Sequence, residues 1–310
     1  HRRTGQRRRT RLASILVHLT SIDHLSDAQI AQLLDTADHY SRDPQAGAGK
    51  LAGKAVFNLF YENSTRTAMS FAMAATRLGA QPLTLSVEHS SVKKGETLED
   101  TARTLGAMAP DAIVLRHREN GAADQVAELV ACPAMNAADG TNEQPQHALP
   151  DALTLRQHFG RIEGLTIAIC GDIRHSRVAR SNAKLLPRLG ATVRLAGPPS
   201  LLPEDLPGHD IDHAIKGANA VMMLRVQRER LDEDLGDAPG EYLARYGLTA
   251  DRLALAKPEA VVLHPGPMNR GVEIADEVAD LPGRSLILNQ VANGVATRMA
   301  VLDFLVGGPA

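Results

Sequence analysis

Tryptophan is absent from this chain, and aromatic residues of every kind make up only 3% of it. Its interior must therefore be filled by Ala, Val, Leu and Ile at close range rather than by a few large rings. Cysteine is almost missing as well: Cys132 and Cys170 are the two among 310 residues. They stand far apart, without the paired spacing of a metal or redox centre, and read as buried thiols of a reducing compartment, so the cytoplasm is the expected location. No apolar run is long enough to span a bilayer, no signal-peptide hydrophobic core is seen, and no membrane partner is expected. Neither sign of charge is in excess: 34 Lys and Arg against 36 Asp and Glu give a formal charge of -2. That balance supplies no global reason to bind nucleic acid, and no nucleic-acid partner is expected. The exception is the opening run HRRTGQRRRTR, which reads as an extension rather than a nucleic-acid arm or targeting peptide. Any anion site must come from a local cluster of Arg and Lys.

What is present is an alternation of strand-like and helix-like segments, which predicts an α/β fold with parallel sheets and crossover helices. Buried strands are expected at Lys54–Phe60, Pro82–Val87, Asp111–Arg116, Leu165–Cys170, Thr192–Ala196, Ala220–Leu224 and Ala260–Leu263. Helices are expected at Thr67–Leu78, Leu98–Met108, Ala122–Val130, Ala148–Phe159 and Arg177–Leu189. A last helix at Val291–Val306 would carry Val291, Val295, Met299, Leu302 and Leu305 on its apolar side. The length suits two units of ordinary domain size, joined near residue 144. Ligands of open α/β sheets bind at the carboxyl ends of the strands, and the unusual residues fall there.

After the first strand comes Phe60-Tyr61-Glu62-Asn63-Ser64-Thr65-Arg66-Thr67, opening a helix. A helix start offers free N–H groups and the positive end of the dipole, a natural phosphate seat. The plainer reading is a Ser/Thr-capped helix with an exposed Arg. Ser90 to Thr97 forms a doubly basic loop with Lys93 and Lys94, and on its own it reads as solvated surface. Arg116 ends a buried strand, a costly place for an unpaired charge. Arg177 opens another helix, and Arg225-Val226-Gln227 follows another buried strand. Each Arg alone reads as structural; together, at strand ends and helix starts, they ask for a multiply anionic ligand set.

With FYENSTRT…SF…RLGA, SSVKKGETLEDTARTL, IVLRH, GDIRHSRVARSN, MLRVQRERL, VLHPGPMNRGVEI and QVANGVATRMAVL in order from about Leu16 to Leu305, the chain resembles the aspartate/ornithine carbamoyltransferases. It fits their aspartate branch, because His264-Pro265-Gly266-Pro267 stands where the ornithine branch would carry an HCLP-type motif. The resemblance implies two doubly wound parallel-sheet domains with a C-terminal helix returning to the first. It places the carbamoyl-phosphate domain at residues 1–143 with 290–310, and the aspartate domain at 144–289. The implied reaction moves a carbamoyl group from carbamoyl phosphate to L-aspartate, giving N-carbamoyl-L-aspartate and phosphate in pyrimidine synthesis. Ser64, Thr65, Arg66 and Thr67 would hold phosphate, and Arg116 with Thr67 would approach the carbamoyl oxygen. Arg177, Arg225 and Gln227 would bind the aspartate carboxylates, and the carbonyls of Pro265 and Gly266 would face the reacting amino groups. Lys94, with Ser90 or Ser91, would reach a neighbouring subunit's site in a homotrimer. Neither metal nor organic cofactor is implied, and a regulatory chain or a dihydroorotase is left open as a further partner.

One loop departs from the family pattern. Its usual His-Pro-Thr-Gln reads Gln144-Pro145-Gln146-His147 here. Gln144 keeps a neutral N–H donor for the carbamoyl oxygen. His147, three residues on, would share roughly the same helical face and return an imidazole to the site. The bland reading makes His147 an ordinary interfacial histidine, and Pro150 is expected in the first turn of its helix. Ala68 and Ala72 replace an Arg and a Glu common in the family, a paired loss that suggests a dropped structural ion pair. Three functions stay open: an active aspartate carbamoyltransferase, a catalytically weakened paralogue acting as a scaffold or ligand-binding subunit, and a transferase with another amine acceptor.

Overall fold

The computed structural model describes residues 18–87, 90–139, 145–231 and 235–308; the basic N-terminal run and Gln144 lie outside them. The first unit runs α1 (Asp27–Arg42), β1 (Ala55–Phe60), α2 (Thr65–Arg77), β2 (Gln81–Ser86), α3 (Leu98–Gly106), β3 (Ala112–His117), α4 (Ala122–Leu129) and β4 (Ala134–Asp139). Helix α5 (Pro145–Phe159) leads to β5 (Thr166–Cys170), α6 (Arg177–Arg188), β6 (Thr192–Ala196), β7 (Gly208–His209), α7 (Ile211–Ile215) and β8 (Ala220–Met223). Short helices α8 (Glu241–Tyr246) and α9 (Ala250–Leu253), strand β9 (Val261–Leu263), α10 (Asp276–Ala279) and the long α11 (Ile287–Val306) complete it. The strands form two parallel sheets, ordered β2-β1-β3-β4 and β7-β6-β5-β8-β9. This is the two-sheet α/β architecture expected, and α11 returns to the first unit, packing on α1, α2 and α5.

Local chemistry explains the elements. The strands β5, β8 and β9 are almost wholly buried apolar runs, as parallel strands covered on both faces must be. Helix α1 starts with a capping box in which Ser26 and Gln29 satisfy each other's backbone N–H groups. One apolar core runs from Val56 and Val114 in the first sheet, through Leu149, Leu153, Met299 and Leu302 on α5 and α11, to Ile167, Met222 and Leu263 in the second. Separate clusters cover the far face of each sheet.

Two expectations about helices need correction. Helix α5 begins at Pro145, not Ala148, so Pro150 falls in its second turn. There its ring removes the N–H that would reach the Gln146 carbonyl. In α11, Val291 is 53% exposed rather than on the inner side, although Met299, Leu302 and Leu305 are buried. The inward face of its first half is polar instead. Gln290 donates to Asp151 at 2.8 Å, while Asn293 donates to Thr154 and Gln157 at 2.9 Å each.

Candidate active site

The start of α2 projects from the carboxyl end of β1. Ser64 occupies the N-cap position, yet its hydroxyl donates to Thr67 Oγ1 at 2.9 Å and caps no backbone N–H. No acidic residue lies in the first turn. The plain capped-helix reading therefore fails, and the dipole end faces outward with N–H groups free of a side-chain cap. Thr67 is buried, Ser64 half-buried, and Thr65 and Arg66 are exposed.

Two expected cations converge beside it. Arg116 sits opposite Phe60 in the parallel register of β1 and β3, and Arg177 is the first residue of α6 in the second unit. Glu62, which the sequence reading did not single out, joins them. Its Oε2 accepts from Arg177 Nη2 at 3.0 Å and lies 3.6 Å from Arg116 Nε. Burial, and secondly the neighbouring Arg177 charge, push the Arg116 guanidinium down to about 10, with Glu62 opposing the shift.

A cavity of about 70 Å³ opens between α2, α5, α11 and the turn after β9, lined by Arg66, Thr67, Ser70, His147, Pro265 and Arg298 among others. His147 and Arg66 both line this cavity. Burial, followed by the charges of Arg298, Arg116 and Arg66, holds its imidazole well below the ordinary range, so the ring is neutral at pH 7. Its Nε2 is buried without a hydrogen-bond partner among the described residues. Arg298, another residue absent from the sequence set, is 4% exposed. It donates to Ser70 Oγ at 3.1 Å and lies over the Phe71 ring at 5.1 Å. Its only sequence signal is a lone charge in the stretch Gly294–Leu302.

The second unit contributes its strand-end loops. At Gly266 the backbone has φ +68°, and a Cβ there would overlap the Arg66 guanidinium, so the two units touch at this glycine. The Arg225–Gln227 loop follows β8 with Arg225 and Gln227 exposed and Val226 fully buried. Lys94 is also exposed, on a short 3-10 turn. Chemically the arrangement offers clustered guanidiniums, a helix dipole and a neutral imidazole, suited to aligning anions and stabilising developing negative charge.

Known protein families place this geometry. Residues 17–157 match the carbamoyl-phosphate-binding domain of the aspartate/ornithine carbamoyltransferases, and residues 163–305 match their Asp/Orn-binding domain. The chain belongs to this family. The aspartate carbamoyltransferase catalytic subunit of Gluconobacter oxydans is 53% identical over 302 residues, covering 94% of this chain and 96% of that one. Among solved structures, Pyrococcus furiosus ornithine carbamoyltransferase superposes with a TM-score of 0.85 at 26% identity, covering 94% of this chain and 98% of its own. Trypanosoma cruzi aspartate transcarbamoylase bound to N-(phosphonacetyl)-L-aspartate gives 0.81 at 32% identity, covering 92% of this chain and 94% of its own. The same T. cruzi protein has been solved with carbamoyl phosphate and aspartate. Within the family, the higher identities fall on the aspartate side.

Proposed function

We propose that this protein transfers the carbamoyl group of carbamoyl phosphate to the amino group of L-aspartate, yielding N-carbamoyl-L-aspartate and phosphate for pyrimidine synthesis. The observation that carries the reading is the meeting of the α2 start, Arg116 and Arg177 between the two sheets. Ser64, Thr65, Arg66 and Thr67 hold the phosphate, with Arg66 and Arg116 neutralising charge on the leaving group and the carbamoyl oxygen. The neutral amine of aspartate attacks the carbamoyl carbon, an oxyanion develops on the carbamoyl oxygen, and phosphate leaves carrying the bonding pair. Phosphate is basic enough to take the amine proton. Gln144 and His147 act as neutral donors to the carbamoyl group, and the Pro265 and Gly266 carbonyls orient the amino groups. Arg177, Arg225 and Gln227 receive the carboxylates of aspartate.

Residues 1–143 with 290–310 form the carbamoyl-phosphate domain in this reading, and 144–289 the aspartate domain. Exposed Met69 and Met73 on α2 and Leu83 on the edge strand β2, near in sequence to exposed Lys94, suit a homotrimer whose Lys94 completes a neighbour's site. Two buried free thiols and the absence, among the described residues, of any helix long and apolar enough to cross a membrane suit cytoplasmic work. No observation favours the weakened-paralogue alternative. Steady-state carbamoylation, followed by phosphate release with aspartate, ornithine and N-acetylornithine in parallel, tests the function. Aspartate-dependent turnover is expected; release that ignores aspartate, or prefers another amine, overturns it.

A further inference from the structure

Glu273 is a carboxylate that the transfer chemistry leaves unused. It lies with 0% exposure where the two acceptor-side loops meet. The Gly266 N–H donates to His264 Nδ1 at 2.8 Å, so that nitrogen carries a lone pair and the proton of the neutral ring sits on Nε2. From there His264 donates to Glu273 Oε1 at 3.0 Å. The same oxygen accepts the Asn269 N–H at 2.7 Å. Asn269 in turn donates through its side chain to the Val226 carbonyl at 2.8 Å, inside the Arg225–Gln227 loop. One oxygen atom therefore ties the Pro265–Gly266 turn to the loop carrying Arg225 and Gln227.

Stability alone is a poor reason for this carboxylate. A fully buried acid is costly, and an apolar residue of similar volume commonly serves packing as well or better. Its second oxygen, Oε2, has no hydrogen-bond partner among the described residues. What Oε1 does supply is direction: it fixes the imidazole tautomer, as carboxylates orient working histidines elsewhere. The orientation then passes to the Gly266 N–H, next to the guanidinium of Arg66.

We propose that Glu273 is a positioning residue that locks the Pro265–Gly266 turn and the Arg225–Gln227 loop into one relative geometry, so that acceptor and carbamoyl group meet correctly. This rests on the carbamoyl-transfer reading of the site. Phosphate, held at the start of α2, does not depend on the lock, whereas a ligand spanning both loops does.

The test measures binding of inorganic phosphate and of N-(phosphonacetyl)-L-aspartate by calorimetry to the full chain, with kcat and KM beside them. Glu273→Leu should weaken the bisubstrate ligand about 150-fold or more, the loss of two charge-assisted hydrogen bonds, and leave phosphate within about threefold. Glu273→Gln should recover most of that loss, because its amide oxygen can take the place of Oε1 and its NH2 that of the unpartnered Oε2. Asn269→Ala keeps its backbone bond to Glu273 and cuts only the link to Val226. It should raise the KM for aspartate about fivefold, the loss of one neutral hydrogen bond, with phosphate unchanged. This variant keeps the proposal falsifiable if the leucine variant does not fold. A parallel loss of phosphate and bisubstrate binding, a glutamine variant as poor as the leucine one, or an alanine variant matching wild type overturns the positioning role. Bisubstrate binding without aspartate-dependent turnover in the wild type would instead defeat the transfer reading, and the Glu273 series would still stand on binding alone.

Discussion

Replacing Glu62 with Ala removes an acid that faces both Arg116 and Arg177. In the structure Glu62 Oε2 stands 3.0 Å from Arg177 and 3.6 Å from Arg116, with side chains only 29%, 16% and 16% exposed respectively. Two unit charges at such a separation attract by about 5 kcal/mol at an effective dielectric of about 20. Desolvation of all three groups offsets much of this, and roughly 1–3 kcal/mol is the net worth of a hydrogen bond to a charged partner. The variant also leaves two guanidiniums repelling each other, so the loss belongs at the upper end of that range. Urea unfolding at low ionic strength should show it directly. Because phosphate can replace the missing negative charge, adding it should stabilise the variant more than the wild type. A tenfold gain in phosphate affinity would appear as about 1.4 kcal/mol of extra stabilisation at saturation. Turnover should move the other way: Arg177 loses its anchor, and kcat/KM for aspartate should drop about tenfold or more. A Glu62→Ala protein as stable as wild type in low salt, with unchanged kcat/KM, would refute the view that Glu62 is the counter-ion organising this site.

Asp151, buried between Gln290 and Asn182, is raised to about 6 chiefly by desolvation, with both amides opposing the shift. A raised folded-state value means stability that is present below the unfolded value of about 4 and lost as pH climbs through 6. Wild-type stability measured against Asp151→Asn should therefore fall between pH 4 and 7, and a flat difference would contradict the assignment. His147 carries the reverse shift, held well below its ordinary value by burial and three arginines. Its ring resonances should stay constant from pH 8 to 5.5, and an inflection near 6.5 by NMR would show that it is solvated rather than enclosed.

The legible parts of the fold were those in which burial is written into composition. Strands β1, β3, β5 and β8 are near-continuous apolar runs, and their positions were readable to within a residue or so. Strand β4, Ala-Met-Asn-Ala-Ala-Asp, has no β-branched residue and was missed. It is held by neighbours on both sides, β3 on one edge and Leu19 on the other. Helix α1 was missed although its capping box was in the sequence. At the site, Arg66, Arg116 and Arg177 were readable because charges at strand ends and helix starts are unusual, whereas His147 stood out only against the family's usual loop. Glu62, Asp151, Glu273 and Arg298 were not, since only the packed structure shows which acid faces which base. Lys94, Arg225 and Gln227 were visible as a basic loop and a strand-end motif, but their roles came from resemblance.

The apolar core running unbroken from one sheet to the other has a mechanical meaning. Behind the cavity the two units are fused by Leu149, Leu153, Met299 and Leu302 on α5 and α11. Across its mouth they meet through polar contacts, the Glu62–Arg177 pair and the approach of Arg66 to Gly266. Bending that separates the strand ends therefore exchanges a few charged contacts for water, while bending in the opposite sense must expose hydrocarbon. The molecule is stiff along one edge and compliant along the other, like a book with an oily spine. Substrates bearing several negative charges arrive on the compliant side, where their binding can set the angle between the covers.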